Sequence, residues 1–451
     1  MLISKGENFV AGSKKPSRHV IPHNTNLAEE PDLWTLVEGK GIRVADSTGR
    51  TYLDLAAGGT RANAVGWGRE EIAQAMYEQA KKLHYFTPVE SHNSAAVEFA
   101  ATLSELTPGE LSTAFFVCDG SEAVETAFKL AKQYNYYRGL PRKYKIISRR
   151  DSYHGTTMGA LSAMGANHPL RRIMDPLVPG YLFVDRPYCY RCPYGREYPN
   201  CSIDCARALE KLILDEGPEQ VAAFIAESVM QMGGCVIPPP EYFPMIREIC
   251  DKYDVLFIDD EVITGFGRTG KMFGIEHFGV VPDIMVMAKQ LTSGYVPMGA
   301  AVTKPSVIDE FPVFRHIHTY GAHPVACKAA SVNLEIIKRE ELVENAREMG
   351  EYFLNGLKEL EKQPIVGEVR GIGLWLGIEF VQDKKTKARF PEENNPAPRI
   401  VKRIREKGAF CRPSVQSIEI APALIITRSD IDEALRILEE AIADEVRFLG
   451  L

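Results

Sequence analysis

The sequence has no apolar run long enough to cross a bilayer, and its first residues, MLISKGENFVAGSKKPSRHV, hold no apolar core of the kind a signal peptide needs. Membrane insertion and export are therefore not expected, and the cytoplasm is the expected location. No long block of one charge sign occurs either. Lys plus Arg number 53 against 60 Asp plus Glu, a net charge of −7, which disfavours nucleic acid and anionic membranes as partners. Internal repeats and low-complexity tracts are missing, which argues against a solenoid or a disordered chain. The nine cysteines are an odd number spread along a long chain. Without an export signal they do not read as a disulfide framework, and most are expected to be reduced and buried.

What is present is enough apolar material for a large core: 451 residues, 45% of them hydrophobic, predict two lobes. Short β-branched or aromatic runs alternate with segments of helical period. The runs are Phe115–Val117, Lys145–Ser148, Tyr181–Val184, Ala222–Ala226, Val255–Ile258 and Ile284–Met287. This alternation predicts an α/β fold, a mostly parallel sheet covered by helices. After about residue 330 the pattern changes to long amphipathic helices, one strand-like GIGLWLGIEF and a polar loop around KKTKARFPEENNPAP. The expected organisation is an N-terminal segment of a small α+β domain over 1–58, a large domain over 59–330, and the rest of the small domain over 331–451. GIRVADSTGRTYLDL, with a hairpin-like turn, fits the small domain.

The most informative stretch is VLFIDDEVITGFGRTG, where an apolar strand ends in Asp259, Asp260 and Glu261. In open α/β sheets the ligand crevice lies beyond the carboxyl ends of the strands. A carboxylate placed there can hold a heteroaromatic nitrogen protonated, which pyridoxal phosphate needs in order to act as an electron sink; acids at a strand end also serve simply to meet solvent or cap a helix. PDIMVMAKQLTSGYVPMGA then sets Lys289 directly after another apolar strand. There its amine is desolvated and becomes a nucleophile toward an aldehyde, unless it snorkels to the surface. AFFVCDGSEAVETAFKLAKQY reads as a strand, a turn at Gly120 and Ser121, and an amphipathic helix whose N-terminus suits a phosphate. SYHG, at Ser152–Gly155, offers Tyr153 as a flat ring for stacking or as a core aromatic.

Taken together these segments resemble the class III, or omega-, aminotransferases of fold type I. DSTGRTYLDL, CDGSEAVETAFKLA, SYHGTT, AES, DDEVITGFGRTG, AKQLTSGYVPMGA, HTYGAHPVAC and VRGIGLWLGIEF follow the family's order and spacing over nearly the whole chain. The resemblance implies pyridoxal 5′-phosphate as cofactor, with Lys289 as the Schiff-base lysine and proton shuttle and Asp260 paired with the ring nitrogen. Val262 would pack on one ring face and Tyr153 on the other, with His154 and Gly155 beside it. Gly120 and Ser121 would hold the phosphate, Glu227 would join the surrounding network, and Thr319 would reach the phosphate of a neighbouring subunit. A homodimer with shared sites is the minimum assembly, with pairing into tetramers left open. The chemistry implied is ping-pong transfer from an amine to a 2-oxo acid and uses no metal. Aminomutases and racemases related to this family share the lysine and aspartate and form the alternative reading.

GAFCRPSVQSIEIAPALIIT resembles the segment that carries a mobile arginine in omega-amine transaminases, which makes Arg412 the candidate for binding the carboxylate of a short oxo acid such as pyruvate. Where ornithine-type members carry a paired arginine and glutamate, this chain has Glu419 and Met232, which argues against ornithine, acetylornithine or 4-aminobutyrate. Arg61 falls near a position that is aromatic in many amine transaminases, and as a pocket residue it would suit an anionic donor such as taurine or beta-alanine. Phe86 is a candidate pocket wall. Finally, Cys189, Cys192, Cys201 and Cys205 in YCYRCPYGREYPNCSIDCARAL have a spacing that suits zinc, or are reduced thiols with no ligand.

Overall fold

The computed structural model describes His23 and residues 34–165 and 169–451. Apart from His23, the N-terminal segment before residue 34 lies outside the described residues. Strands are numbered in chain order: β1 Leu36–Lys40, β2 Arg43–Asp46, β3 Thr51–Asp54, β4 Thr113–Val117, β5 Lys145–Arg149, β6 Tyr181–Val184, β7 Val221–Glu227 and β8 Leu256–Asp260. They continue as β9 Ile284–Met287, β10 Gly299–Thr303, β11 Val366–Ile372, β12 Trp375–Phe380, β13 Ala409–Phe410, β14 Arg412–Ser414 and β15 Ser417–Ile420.

Seven strands form the central sheet in the order β4-β10-β9-β8-β7-β5-β6. Strands β5 to β9 pair in parallel, and β10 runs antiparallel to both its neighbours. Apolar strands of this kind must be covered on both faces, and β7 is buried at every position. Phe224, Phe257 and Met285 point to one core cluster, and Ile225, Ile258 and Val286 to the other. The helix Gly120–Tyr137 supplies Ala123, Ala127, Phe128 and Ala131 to the second cluster. That packing places the N-terminus of this helix next to the carboxyl ends of β8 and β7.

Each of the six predicted runs lies on a strand of this sheet, with ends that differ by a few residues. The one strand without a sequence expectation is β10, whose Gly-Ala-Ala start carries no β-branched signal. Its glycine is required by packing, since a Cβ on Gly299 would strike the Asp119 carbonyl. GIGLWLGIEF is not one strand but the junction of a hairpin, β11 with β12. Gly373 makes the turn with φ +55°, and a side chain there would collide with the backbone of Thr269 and Gly270. Two four-stranded sheets complete the fold: β1-β2-β3-β13, in which β13 lies parallel to β3, and β11-β12-β15-β14. Because β13 comes from near the end of the chain, the first sheet ties the two chain ends together. No helix among the described residues is long and apolar enough to cross a membrane.

Candidate active site

A cavity of about 390 Å³ opens at the carboxyl ends of β7, β8 and β9, against the N-terminus of the helix Gly120–Tyr137. Gly120, Ser121, Tyr153, His154, Gly155, Glu227, Asp260, Val262 and Lys289 all line it. Register explains part of this convergence. Glu227 and Asp260 are direct partners across β7 and β8, so both side chains emerge on the face that carries Ile225 and Ile258.

Asp260 is buried, and its two oxygens have different neighbours. Oδ1 accepts from the Val262 backbone N–H at 3.1 Å, and Oδ2 lies 2.7 Å from His154 Nδ1. With Nδ1 donating to the carboxylate, the imidazole ring is fixed while its Nε2 stays buried without a hydrogen-bond partner. Glu227 accepts from the backbone N–H groups of Tyr153 at 3.2 Å and Gln231 at 2.9 Å. Burial pushes its carboxyl upward, with His154 and Arg149 opposing the shift.

Lys289 follows β9 by two residues and adopts φ +46°, a left-handed conformation disfavoured for a side chain of this size. The loop that holds it is anchored from behind. Asn333 donates to the carbonyls of Gln290 at 2.8 Å and Leu291 at 3.2 Å, while Ser293 Oγ donates to Asn333 Oδ1 at 2.6 Å and accepts from the Ala64 N–H at 3.1 Å. The residue keeps some exposure, into the cavity it lines, but its amine is enclosed by protein. Burial, helped by the Arg61 charge and opposed by Asp260, Glu227 and Glu419, brings the ammonium down to about 7. An amine in that range is in substantial part neutral at physiological pH, as a nucleophile or proton carrier must be.

The fit to pyridoxal phosphate can be judged from these residues. At the first turn of the helix Gly120–Tyr137 the leading N–H groups have no intrahelical partner, and Asp119 caps only the Glu122 N–H, at 2.9 Å. Glycine is needed on both sides of that turn. A Cβ on Gly120 would lie 2.8 Å from Val262, and one on Gly155, at φ +121°, would lie 2.5 Å from Ser121 Oγ. Anion-binding turn, carboxylate, lysine and the half-buried Tyr153 thus share one cavity, and this donor set fits a phosphorylated pyridine aldehyde.

The other sequence candidates do not line this cavity. Phe86 and Thr319 are exposed and do not line the cavity of their own chain; the Tyr85 hydroxyl donates to the Thr319 carbonyl at 3.1 Å, which pins the two segments together. Arg412, on β14, is solvent-exposed, and its guanidinium has no ion pair or hydrogen bond among the described residues. Arg61, the expected pocket arginine, is already engaged. It is buried, sits at φ +64°, pairs with Glu419 and lies over the Trp375 ring at 6.0 Å. The neighbouring Thr60 faces the cavity instead. Sequence reasoning missed Thr60 because the turn Ala57–Arg61 contains two glycines at positive φ, so spacing alone does not say which side chain turns inward. Asn333, in mid-helix, carried no local signal at all.

The seven-stranded sheet and a lysine and carboxylate at its carboxyl edge define a fold type I transferase of the pyridoxal phosphate-dependent class. The family model described as aminotransferase class-III matches residues 26–442, and the chain belongs to that family. Among its relatives, a taurine–pyruvate aminotransferase from Bilophila wadsworthia is 38% identical, with 100% of both chains covered. A putrescine–pyruvate aminotransferase from Pseudomonas aeruginosa is 36% identical over 94% of each chain. The crystal structure of the omega-transaminase from Pseudomonas jessenii in complex with PMP matches with a TM-score of 0.92 at 35% identity, covering 96% of this chain and 97% of that one.

Proposed function

We propose that this chain is a cytoplasmic, homodimeric transaminase that holds pyridoxal phosphate on Lys289 and moves an amino group from an amine or omega-amino acid to a short 2-oxo acid, preferably pyruvate. The observation that carries the reading is the meeting of Lys289, Asp260 and the Gly120–Ser121 helix start in one cavity. The bound cofactor supplies the electron sink for breaking a bond at the donor carbon. This chain's residues do the rest. Asp260, oriented by His154, would keep the ring nitrogen protonated; the Lys289 amine would carry the proton at the donor carbon; and Val262 and Tyr153 would flank the ring.

Arg412, without an ion pair or hydrogen bond among the described residues and near the Gly59 turn, is the mobile cation for the substrate anion. The two half-reactions use the pocket in turn, so one cation serves both an acidic donor and the oxo acid. Arg61 is neutralised by Glu419, and a distal anion reaching it competes with that carboxylate. Phe86 and Thr319 lie with Ile317 and Tyr320 on an exposed, partly apolar surface, which suits their contributing to the site of a second subunit.

The test is a spectrum of the purified protein after adding taurine, beta-alanine, 1-phenylethylamine, alanine or glutamate singly. Loss of the near-visible cofactor band with one amine, and its return with pyruvate, is the expected result. Turnover of one amino compound without any oxo acid would instead establish an isomerase, and no chromophore after incubation with pyridoxal phosphate would end the reading. Arg412→Ala should raise KM for pyruvate about 10- to 100-fold, from the loss of charge-assisted hydrogen bonds. The half-reaction with uncharged 1-phenylethylamine should be little changed.

A further inference from the structure

The cysteine-rich loop between β6 and the helix Asp204–Glu216 takes no part in the chemistry above. Its four cysteines follow the pattern C-x2-C-x8-C-x3-C at Cys189, Cys192, Cys201 and Cys205. All four line one small cavity of about 20 Å³, room for a single ion or water. Tertiary structure gathers them: Cys189 opens a 3-10 turn, Cys192 ends it, Cys201 lies at a bend just before the helix, and Cys205 sits in the first turn of the helix. None is in a disulfide; Cys189 is exposed and the other three are half-buried.

We propose that these four thiolates hold a tetrahedral zinc ion, one per chain, with a structural role remote from the cofactor. The paired spacings C-x2-C and C-x3-C match the ligand spacings of closed tetrathiolate sites. Binding is balanced as four thiols losing four protons to give a complex of net charge −2. Arg186 and Arg196 line the same cavity and offset that charge, while Asp204 pairs with Arg196. No three of the four sulfurs stand within 4.8 Å of one another. The edge of a zinc–sulfur tetrahedron is about 3.8 Å, from bonds of about 2.3 Å, so binding draws the sulfurs together by side-chain rotation within the loop.

The loop is worth fixing because it bridges the central sheet to the β11-β12-β15-β14 sheet. The Tyr188 hydroxyl and Arg191 Nε, at 2.5 Å, both bond Glu379 on β12, and Arg186 donates to the Met232 carbonyl at 3.0 Å. Zinc at the base of the loop would hold these three side chains in register.

Metal analysis of protein from zinc-replete culture, purified without chelators, tests the proposal directly. About one zinc per chain is expected, falling below about a tenth of an equivalent in Cys201→Ser/Cys205→Ser while the cofactor band is retained. Cobalt grown into the site should give the red-region bands of a tetrahedral thiolate, clear of the cofactor. If the double variant fails to fold, Cys189→Ser should bind zinc but release it to EDTA faster than the parent, with a lowered melting temperature after release. Wild-type protein with less than about a tenth of an equivalent of zinc, iron in its place, or undiminished zinc in the double variant would each overturn the assignment. None of these readings depends on transaminase activity, so they stand or fall apart from the function proposed above.

Discussion

Asp259, Asp260 and Glu261 are adjacent carboxylates at the end of β8, yet they divide between two regions of opposite character. Asp260 points with Ile258 toward the cavity, where His154 and the Val262 N–H hold it as an acceptor. Asp259 and Glu261 point with Phe257 into the opposite core, fully buried around Ser228, whose hydroxyl lies 2.8 Å from Asp259 and 3.3 Å from Glu261. Glu261 also accepts from the N–H groups of Gly274 at 2.9 Å and Ile275 at 2.8 Å. Burial and the neighbouring Glu261 charge push Asp259 well above the usual carboxylate range, and burial raises Glu261 as well. Composition is the same on the two sides. What separates a functional carboxylate from a structural one is the alternation of a strand and what each face meets.

The comparison can be broken or sharpened by substitution. The largest effect belongs to the cavity side, where Lys289→Ala should lower transamination by about 10⁴-fold or more and leave pyridoxal phosphate removable by dialysis, read from the lost absorption band. In the parent chain the neutral fraction of this amine grows as pH rises through about 7. Cofactor uptake by the stripped protein should therefore accelerate over that range and then level off, and a flat rate would contradict the assignment. Asp260→Asn keeps the shape but removes the charge, and kcat should fall about 10²- to 10³-fold with the fold intact by circular dichroism.

On the core side the effects turn from rate to stability. Glu261→Ala leaves the Gly274 and Ile275 N–H groups without their acceptor, at a cost of about 1–3 kcal/mol each when unsatisfied. Thermal melting should drop clearly while kcat per folded molecule holds. The smallest change is expected for Asp259→Asn, within about 1 kcal/mol, because the amide keeps the shape and removes a charge that burial and the neighbouring Glu261 already disfavour. The sign of its pH dependence follows from the raised value. The native state keeps this proton while the unfolded chain loses it, so stability falls as pH rises from the unfolded value toward the folded one. The amide introduced by Asp259→Asn cannot titrate, so the variant's melting temperature should gain on the parent's across that window. A constant difference would show that Asp259 is ionised in the fold.

Much of this was legible locally. The strands β5 to β9 announce themselves because both faces are apolar, and the turn at Gly120, the lysine after β9 and the acids after β8 stand at strand ends that pattern alone locates. Other features were not, for physical reasons. Strand β10 hides behind small residues that close packing against Asp119 demands. The β11–β12 hairpin hides behind an apolar stretch in which only the crowding at Gly373 shows the turn.

By itself the sequence determined the fold class, the family and the chemical groups available at the cavity, since these follow from periodicity and from residues adjacent in the chain. Only the tertiary structure decided which groups are spoken for. Arg61 finds Glu419, 358 positions away, and becomes half of a neutral pair, while Arg412 finds no partner among the described residues and stays available. Asn333 comes to brace the lysine loop, and four spaced cysteines come to share one small cavity. Each of these outcomes depends on which charge or dipole lies across a packed interface, and that is a property of distance in space rather than along the chain.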